Sequence, residues 1–146
     1  MEYEKAGNLF NEGIRLRKNG ELNDAIDIFS KIIKEYPDYP KLWGVCTLLA
    51  DVYKKLGDFN SSNEYFKRGA QLNPTAEIAS LGLYLSYIDL GRDEKAIQEL
   101  DRYLSLHKAD HYKVTLEELL EDLKNGYAGD FRDIVLKHAR NNGFSV

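Results

Sequence analysis

Leu56-Gly57-Asp58-Phe59 interrupts two runs of helical apolar spacing, and its surroundings recur twice more in the chain. Gly20, Gly57 and Gly91 lie 37 and 34 residues apart. Leu16, Tyr53 and Tyr87 each stand four residues before their glycine. Ala25, Ser62 and Ala96 follow it by five, and Phe29, Phe66 and Leu100 by nine. Pro37 and Pro74 follow by seventeen, a place Lys108 takes in the third copy. Gly13 and Ala50 stand sixteen residues before Phe29 and Phe66. Self-similarity at such a period is the mark of a stacked repeat.

Each recurring position has a physical task. The glycine ends a helix in the left-handed conformation, where a Cβ costs energy. The small residue admits a neighbouring helix, and the large apolar residue fills the space between two antiparallel helices. The proline stops one helix or starts the next. Between these marks the spacing is helical: Ile26, Phe29, Ile32 and Ile33 share one face, as do Leu42, Val45, Leu48, Leu49 and Val52.

The pattern, with Leu56-Gly57-Asp58-Phe59 and Leu72-Asn73-Pro74, resembles the tetratricopeptide repeat (TPR) family of helix–turn–helix units. The resemblance implies an all-α, right-handed α-solenoid of about three TPR helix pairs, over residues 6–39, 43–76 and 77–110. The third unit departs from the family by placing Tyr84 at a usually small position and Tyr103 at another. Residues 111–143 read as two more helices, either a degenerate fourth repeat or, as expected of a solenoid end, a C-terminal cap. Thr115 with Glu118 reads as a capping box at the first of them. Gly129-Asp130-Phe131 echoes Gly57-Asp58-Phe59, and the second helix is expected from Asp130 to Asn141, with Gly143 as its stop. The expectation is one domain over residues 1–146.

Composition narrows the function. The chain has 146 residues, 43% hydrophobic and 30% charged, with a net charge of −4. A single cysteine, Cys46, excludes an internal disulfide framework. No apolar run approaches the roughly 18 residues of a membrane span. Met1–Asn8 has no apolar core, so no secretory signal is expected and the reading is cytoplasmic. His107 and His111 stand four apart with Asp110 between them. Two imidazoles without a third ligand make a poor metal site, and a loop is the simpler reading. Cys46 lies among Val45, Leu48 and Leu49 and reads as a core residue. No phosphate loop, zinc-protease motif or nucleophile elbow is present. Neither catalysis nor a cofactor is expected.

The TPR resemblance also implies a concave groove lined by the first helix of each unit. Its facing positions map to Gly7, Phe10, Ile14, Arg17 and Lys18, then Gly44, Thr47, Asp51, Lys54 and Lys55, then Ile78, Leu81, Leu85, Ile88 and Asp89. One branch of the family clamps the C-terminal carboxylate of chaperones with Lys, Asn and Arg. Those positions here are Phe10, Ile14, Leu48, Ile78 and Gly82, so the clamp is not expected. The helix from Ala76 to Leu90 is apolar nearly all round and needs cover on both faces. The C-terminal helices, a second copy of the chain as a homodimer, or a partner helix would each supply it, unless the superhelix buries this face itself.

Charge is uneven: six basic against eight acidic side chains in 1–39, five against three in 40–76, four against seven in 77–110, and five against six in 111–146. Arg17, Lys18, Lys54 and Lys55 form a basic lip on the groove. The expected function is protein–protein interaction by scaffolding or inhibition. An immunity protein neutralising a toxin and a secretion-type chaperone are alternatives. A nucleic-acid role through the lip is disfavoured by the net acidity.

Overall fold

The computed structural model describes residues 2–126 and 129–146; the part of the expected C-terminal cap at Tyr127 and Ala128 lies outside them. The described residues form α-helices joined by short turns, with one 3₁₀ turn and no strand. They divide into two compact units, Met1–Pro74 and Thr75–Val146.

The first unit holds α1 (Glu4–Lys18), α2 (Leu22–Glu35), α3 (Leu42–Lys55) and α4 (Phe59–Leu72). The second holds α5 (Glu77–Asp89), α6 (Asp93–Leu104), α7 (Tyr112–Lys124), a 3₁₀ turn at Gly129–Phe131, and α8 (Arg132–Asn141). Consecutive helices pack in pairs, α1 on α2, α3 on α4, α5 on α6 and α7 on α8, with α2 also on α3 and α6 on α8.

The glycines perform the expected task. Gly20, Gly57 and Gly91 have φ of 77°, 80° and 71°. At each, two backbone bonds close the helix: Glu21 N–H donates to Leu16 O (2.9 Å), Asp58 N–H to Tyr53 O (2.9 Å) and Arg92 N–H to Tyr87 O (2.8 Å), beside the shorter-range bonds of the glycine N–H groups. This pairing is the Schellman arrangement, with the backbone carbonyls of Leu16, Tyr53 and Tyr87 as its acceptors. Pro37 and Pro74 stand two residues past the ends of α2 and α4, as helix stops.

In the first unit Phe29 is fully buried with Ala6, Ala25, Ile32, Val45 and Leu49. Its ring lies against Gly13 so closely that a Cβ there would collide with it. Gly69 repeats the device in the second pair, where a Cβ would stand 2.9 Å from Thr47 Cγ2 and 3.2 Å from Trp43 O. Phe66 is buried at the position equivalent to Phe29.

The second unit solves the same problem with tyrosines. Tyr112 is fully buried; its ring meets Tyr84 edge-on at 6.0 Å and Tyr103 at 5.6 Å. Its hydroxyl lies 2.8 Å from Ser80 Oγ. The two tyrosines at usually small positions thus pack around a third from α7. Tyr112 also pairs a ring with a satisfied hydroxyl, the condition under which a tyrosine is buried cheaply.

Three local expectations are corrected. The Thr115–Glu118 capping box does not form: α7 starts three residues earlier, and Thr115 is buried within its first turns. The cap comes instead from Glu77, whose carboxylate accepts the backbone N–H groups of Asp110 and His111 (2.8 Å each) and Tyr112 (3.3 Å). The left-handed glycine between α7 and α8 is Gly126 (φ 83°), 35 residues after Gly91, and Gly129 instead opens the 3₁₀ turn. The last helix accordingly begins at Arg132 and ends before Gly143 (φ 89°).

Candidate functional site

The groove-facing side chains divide by environment. In the first unit, Phe10 packs edge-on against Phe29 (6.3 Å) and Tyr39 (6.3 Å), with Gly44 beside its ring. Phe10, Ile14 and Leu48 are half-buried. Thr47 is buried; its hydroxyl donates to Gly44 O at 2.8 Å, and its methyl faces α4 at Gly69. The Thr47 side chain is thus engaged within the α3–α4 pair and is little exposed.

The basic lip is partly spent internally. Arg17 donates to Asp51 at 2.9 Å, linking α1 to α3, and Lys55 meets the same carboxylate at 3.2 Å. Lys18 is exposed and Lys54 half-buried. The Asp51 carboxylate between Arg17 and Lys55 leaves a weaker positive field than the residue count suggests.

In the second unit, Ile78, Leu85 and Ile88 are 58%, 38% and 40% exposed, high values for residues of a helix buried elsewhere. Leu81 is half-buried. Leu85 and Ile88 open onto a cleft of about 390 Å³, whose other lining residues are Tyr84, Asp93, Ile97, Thr115, Glu118, Leu119, Asp122 and Phe131. The sequence builds it simply. Thr115, Glu118, Leu119 and Asp122 share one face of α7 by their three- and four-residue spacing. Asp93 and Ile97 bring the first turns of α6 to the cleft. The C-terminal pair therefore forms a second wall and leaves the α5 face open. Burial, reinforced by the charges of Asp93, Glu118 and Asp122, pushes the Tyr84 hydroxyl up to about 12, so it stays a neutral donor at neutral pH.

The groups considered for chemistry are structural. Cys46 is fully buried, and burial raises its thiol to about 11, far from a reactive thiolate. His107 lies against the Tyr103 ring, centroids 4.7 Å apart, in the turn after α6, while His111 precedes α7, so the two do not share a helix face. Glu77, Asp110 and His111 bring ligand atoms within 4.8 Å of one another. The Glu77 oxygens are already engaged by the α7 amides, which accounts for the cluster without an ion. No helix of the described residues is long and apolar enough to cross a membrane.

Two family models, both described as tetratricopeptide repeat, match residues 3–39 and 44–75. Residues 3–39 and 44–75 are tetratricopeptide repeats. The matched TPR segments coincide with α1–α2 and α3–α4, and the helix pairs make the fold an α-solenoid of TPR units. Among solved structures, it resembles the first TPR of Spaghetti (RPAP3) bound to the HSP90 peptide SRMEEVD. The two are 23% identical with a TM-score of 0.70, over 83% of this chain and 94% of that one. Pseudomonas aeruginosa pilF is 17% identical with a TM-score of 0.68, over 91% of this chain. MamA AMB-1 is 19% identical with a TM-score of 0.60, over 74% of this chain. This TPR chain spans 57% of each of those two chains. At these identities the likeness establishes fold. No curated protein matches by sequence.

Of the residues that line this cleft, the groove positions read from the sequence include Leu85 and Ile88 and do not include Asp93, Ile97, Glu118, Leu119, Asp122 or Phe131. The available signals were the face shared by Glu118, Leu119 and Asp122 and the acidic excess of residues 77–110.

Proposed function

We propose that this protein is a protein-interaction module that holds a partner polypeptide against the first helices of its repeats, by scaffolding or inhibition rather than catalysis. The observation that carries this reading is the exposed apolar pair Leu85 and Ile88, which lines a cleft together with Ile97, Leu119 and Phe131. Apolar side chains collected beside a cleft, on a chain with 30% charged residues, are the ordinary form of a binding surface. In this reading Ile78 and Leu81 extend the contact along α5. Phe10, Ile14 and Leu48 play the same part in the first unit, with Arg17, Lys18, Asp51, Lys54 and Lys55 orienting the partner. Immunity to a toxin and chaperoning of a secreted protein are special cases of the same act.

The test compares the wild-type chain with a Leu85→Glu/Ile88→Glu variant in affinity capture from the native host. Both side chains are partly exposed, so the variant should keep its helical circular dichroism. Capture should be lost with helicity intact. Capture at undiminished strength by a folded variant overturns the cleft as the binding site. Loss of helicity shows that the two side chains belong to the core.

A further inference from the structure

Resting on that reading, we propose that the segment held in the α5–α7 cleft is a polypeptide stretch with an apolar anchor flanked by lysine or arginine. Leu85, Ile88, Ile97, Leu119 and Phe131 supply an apolar floor. Asp93, Glu118 and Asp122 stand around it, all three exposed. Asp93 comes from the first turn of α6, whereas Glu118 and Asp122 lie one turn apart on α7. The carboxylates therefore face the cleft from two elements. No lysine, arginine or histidine is among its described lining residues.

The field of these carboxylates is felt at the cleft floor, where it opposes ionisation of the Tyr84 hydroxyl alongside burial. An acidic segment would meet three like charges, and a polyanion such as a nucleic acid would be repelled for the same reason. A purely apolar segment would fill the floor but give the rim no counter-charge. A basic, amphipathic stretch answers both, the floor supplying affinity and the rim supplying orientation, on-rate and rejection of acidic competitors. This preference is opposite in sign to that expected of a groove built to hold a carboxylate.

The 146-residue chain is panned against a displayed library of random dodecapeptides. Two variants are panned in parallel: Leu85→Glu/Ile88→Glu, and Asp93→Asn/Glu118→Gln/Asp122→Asn, whose changes lie on exposed positions. Wild type should enrich peptides with leucine, isoleucine or phenylalanine between lysines or arginines. The neutralised variant should lose the basic bias and bind those peptides about tenfold more weakly, since each exposed pair contributes modestly. The wild-type affinity should also fall with added salt. Enrichment of peptides with no charge bias, or with acidic flanks, overturns this proposal and leaves the interaction module standing. Wild-type enrichment no better than that of the Leu85→Glu/Ile88→Glu variant overturns both. Self-association in light scattering that disappears in the neutralised variant identifies a second copy of the chain as the occupant and overturns the external partner.

Discussion

Gly13 and Phe29 make one contact between them, and each should fail in a characteristic way. Phe29 is fully exclude from solvent, and Phe66 nearly so. Replacing either by alanine should cost roughly 3–5 kcal/mol, as deletions of large core rings do. Urea unfolding followed by helical circular dichroism measures it, and a loss below about 1 kcal/mol would mean a surface-like site. Gly13→Ala runs against the usual rule. Alanine in a helix interior normally gains up to about 1 kcal/mol over glycine. Here the added methyl collides with the Phe29 ring, so the variant should be less stable than wild type. A melting temperature equal to or above that of wild type would show that the ring moves aside freely. The Gly13–Phe29 pairing was legible in the sequence because its sixteen-residue spacing recurs between Ala50 and Phe66. Thr47 was not: its buried side chain is set by the close approach of α4 at Gly69, a pairing that helix periodicity alone does not reveal.

Helix ends separate what local sequence can specify from what it cannot. The left-handed glycines at 20, 57 and 91 were readable because a Schellman cap is made within a few residues. The start of α7 was not, because its cap comes from Glu77, more than thirty residues upstream. A local motif, Thr115 with Glu118, lost to a tertiary one. Glu77→Gln keeps the shape but replaces one acceptor oxygen with an amide NH2, which can only donate. It should cost about 1 kcal/mol, a typical cap contribution, and accelerate amide exchange selectively over residues 110–116. Unchanged exchange there would show that the cap carries no stability. The junction of α6 and α8 adds a pH-dependent element. Asp101 meets buried His138 Nε2 at 2.6 Å and Lys137 Nζ at 3.0 Å. Partial burial works to raise its carboxyl, but these hydrogen bonds outweigh it and hold it below the usual carboxylate range. A depressed folded-state value means that ionised Asp101 stabilises the fold above its unfolded value of about 4. That contribution is lost as pH falls through the lower folded value. Asp101→Asn should therefore melt earlier at neutral pH and show a shallower loss of stability on acidification. A parallel pH–stability curve for the two proteins would refute the linkage.

At the scale of the molecule, stability in a helical-repeat chain is approximately a sum of local terms and nearest-neighbour terms. The described structure adds that Met1–Pro74 and Thr75–Val146 are each compact, with chemically different cores. One is centred on Phe29 and aliphatic side chains, the other on the buried Tyr84, Tyr103 and Tyr112. The repeat pattern made the helix pairs visible across both, but the second core depends on Tyr112 of α7, beyond the three units whose spacing recurs. A defect in the first core should therefore spread through its nearest neighbours before it reaches the second. In Phe29→Ala, amide exchange should quicken throughout α1–α4 while α5–α8 keep most of their protection. Fluorescence of the single Trp43, in α3, should report the first unit melting at lower denaturant than the helical signal as a whole. Equal acceleration throughout α1–α8, with both probes coincident, would show instead that the chain unfolds as one cooperative block. In that case the cleft of α5–α7 would draw its stability from the first repeats, and substitutions at Phe29 would weaken partner binding as well as folding.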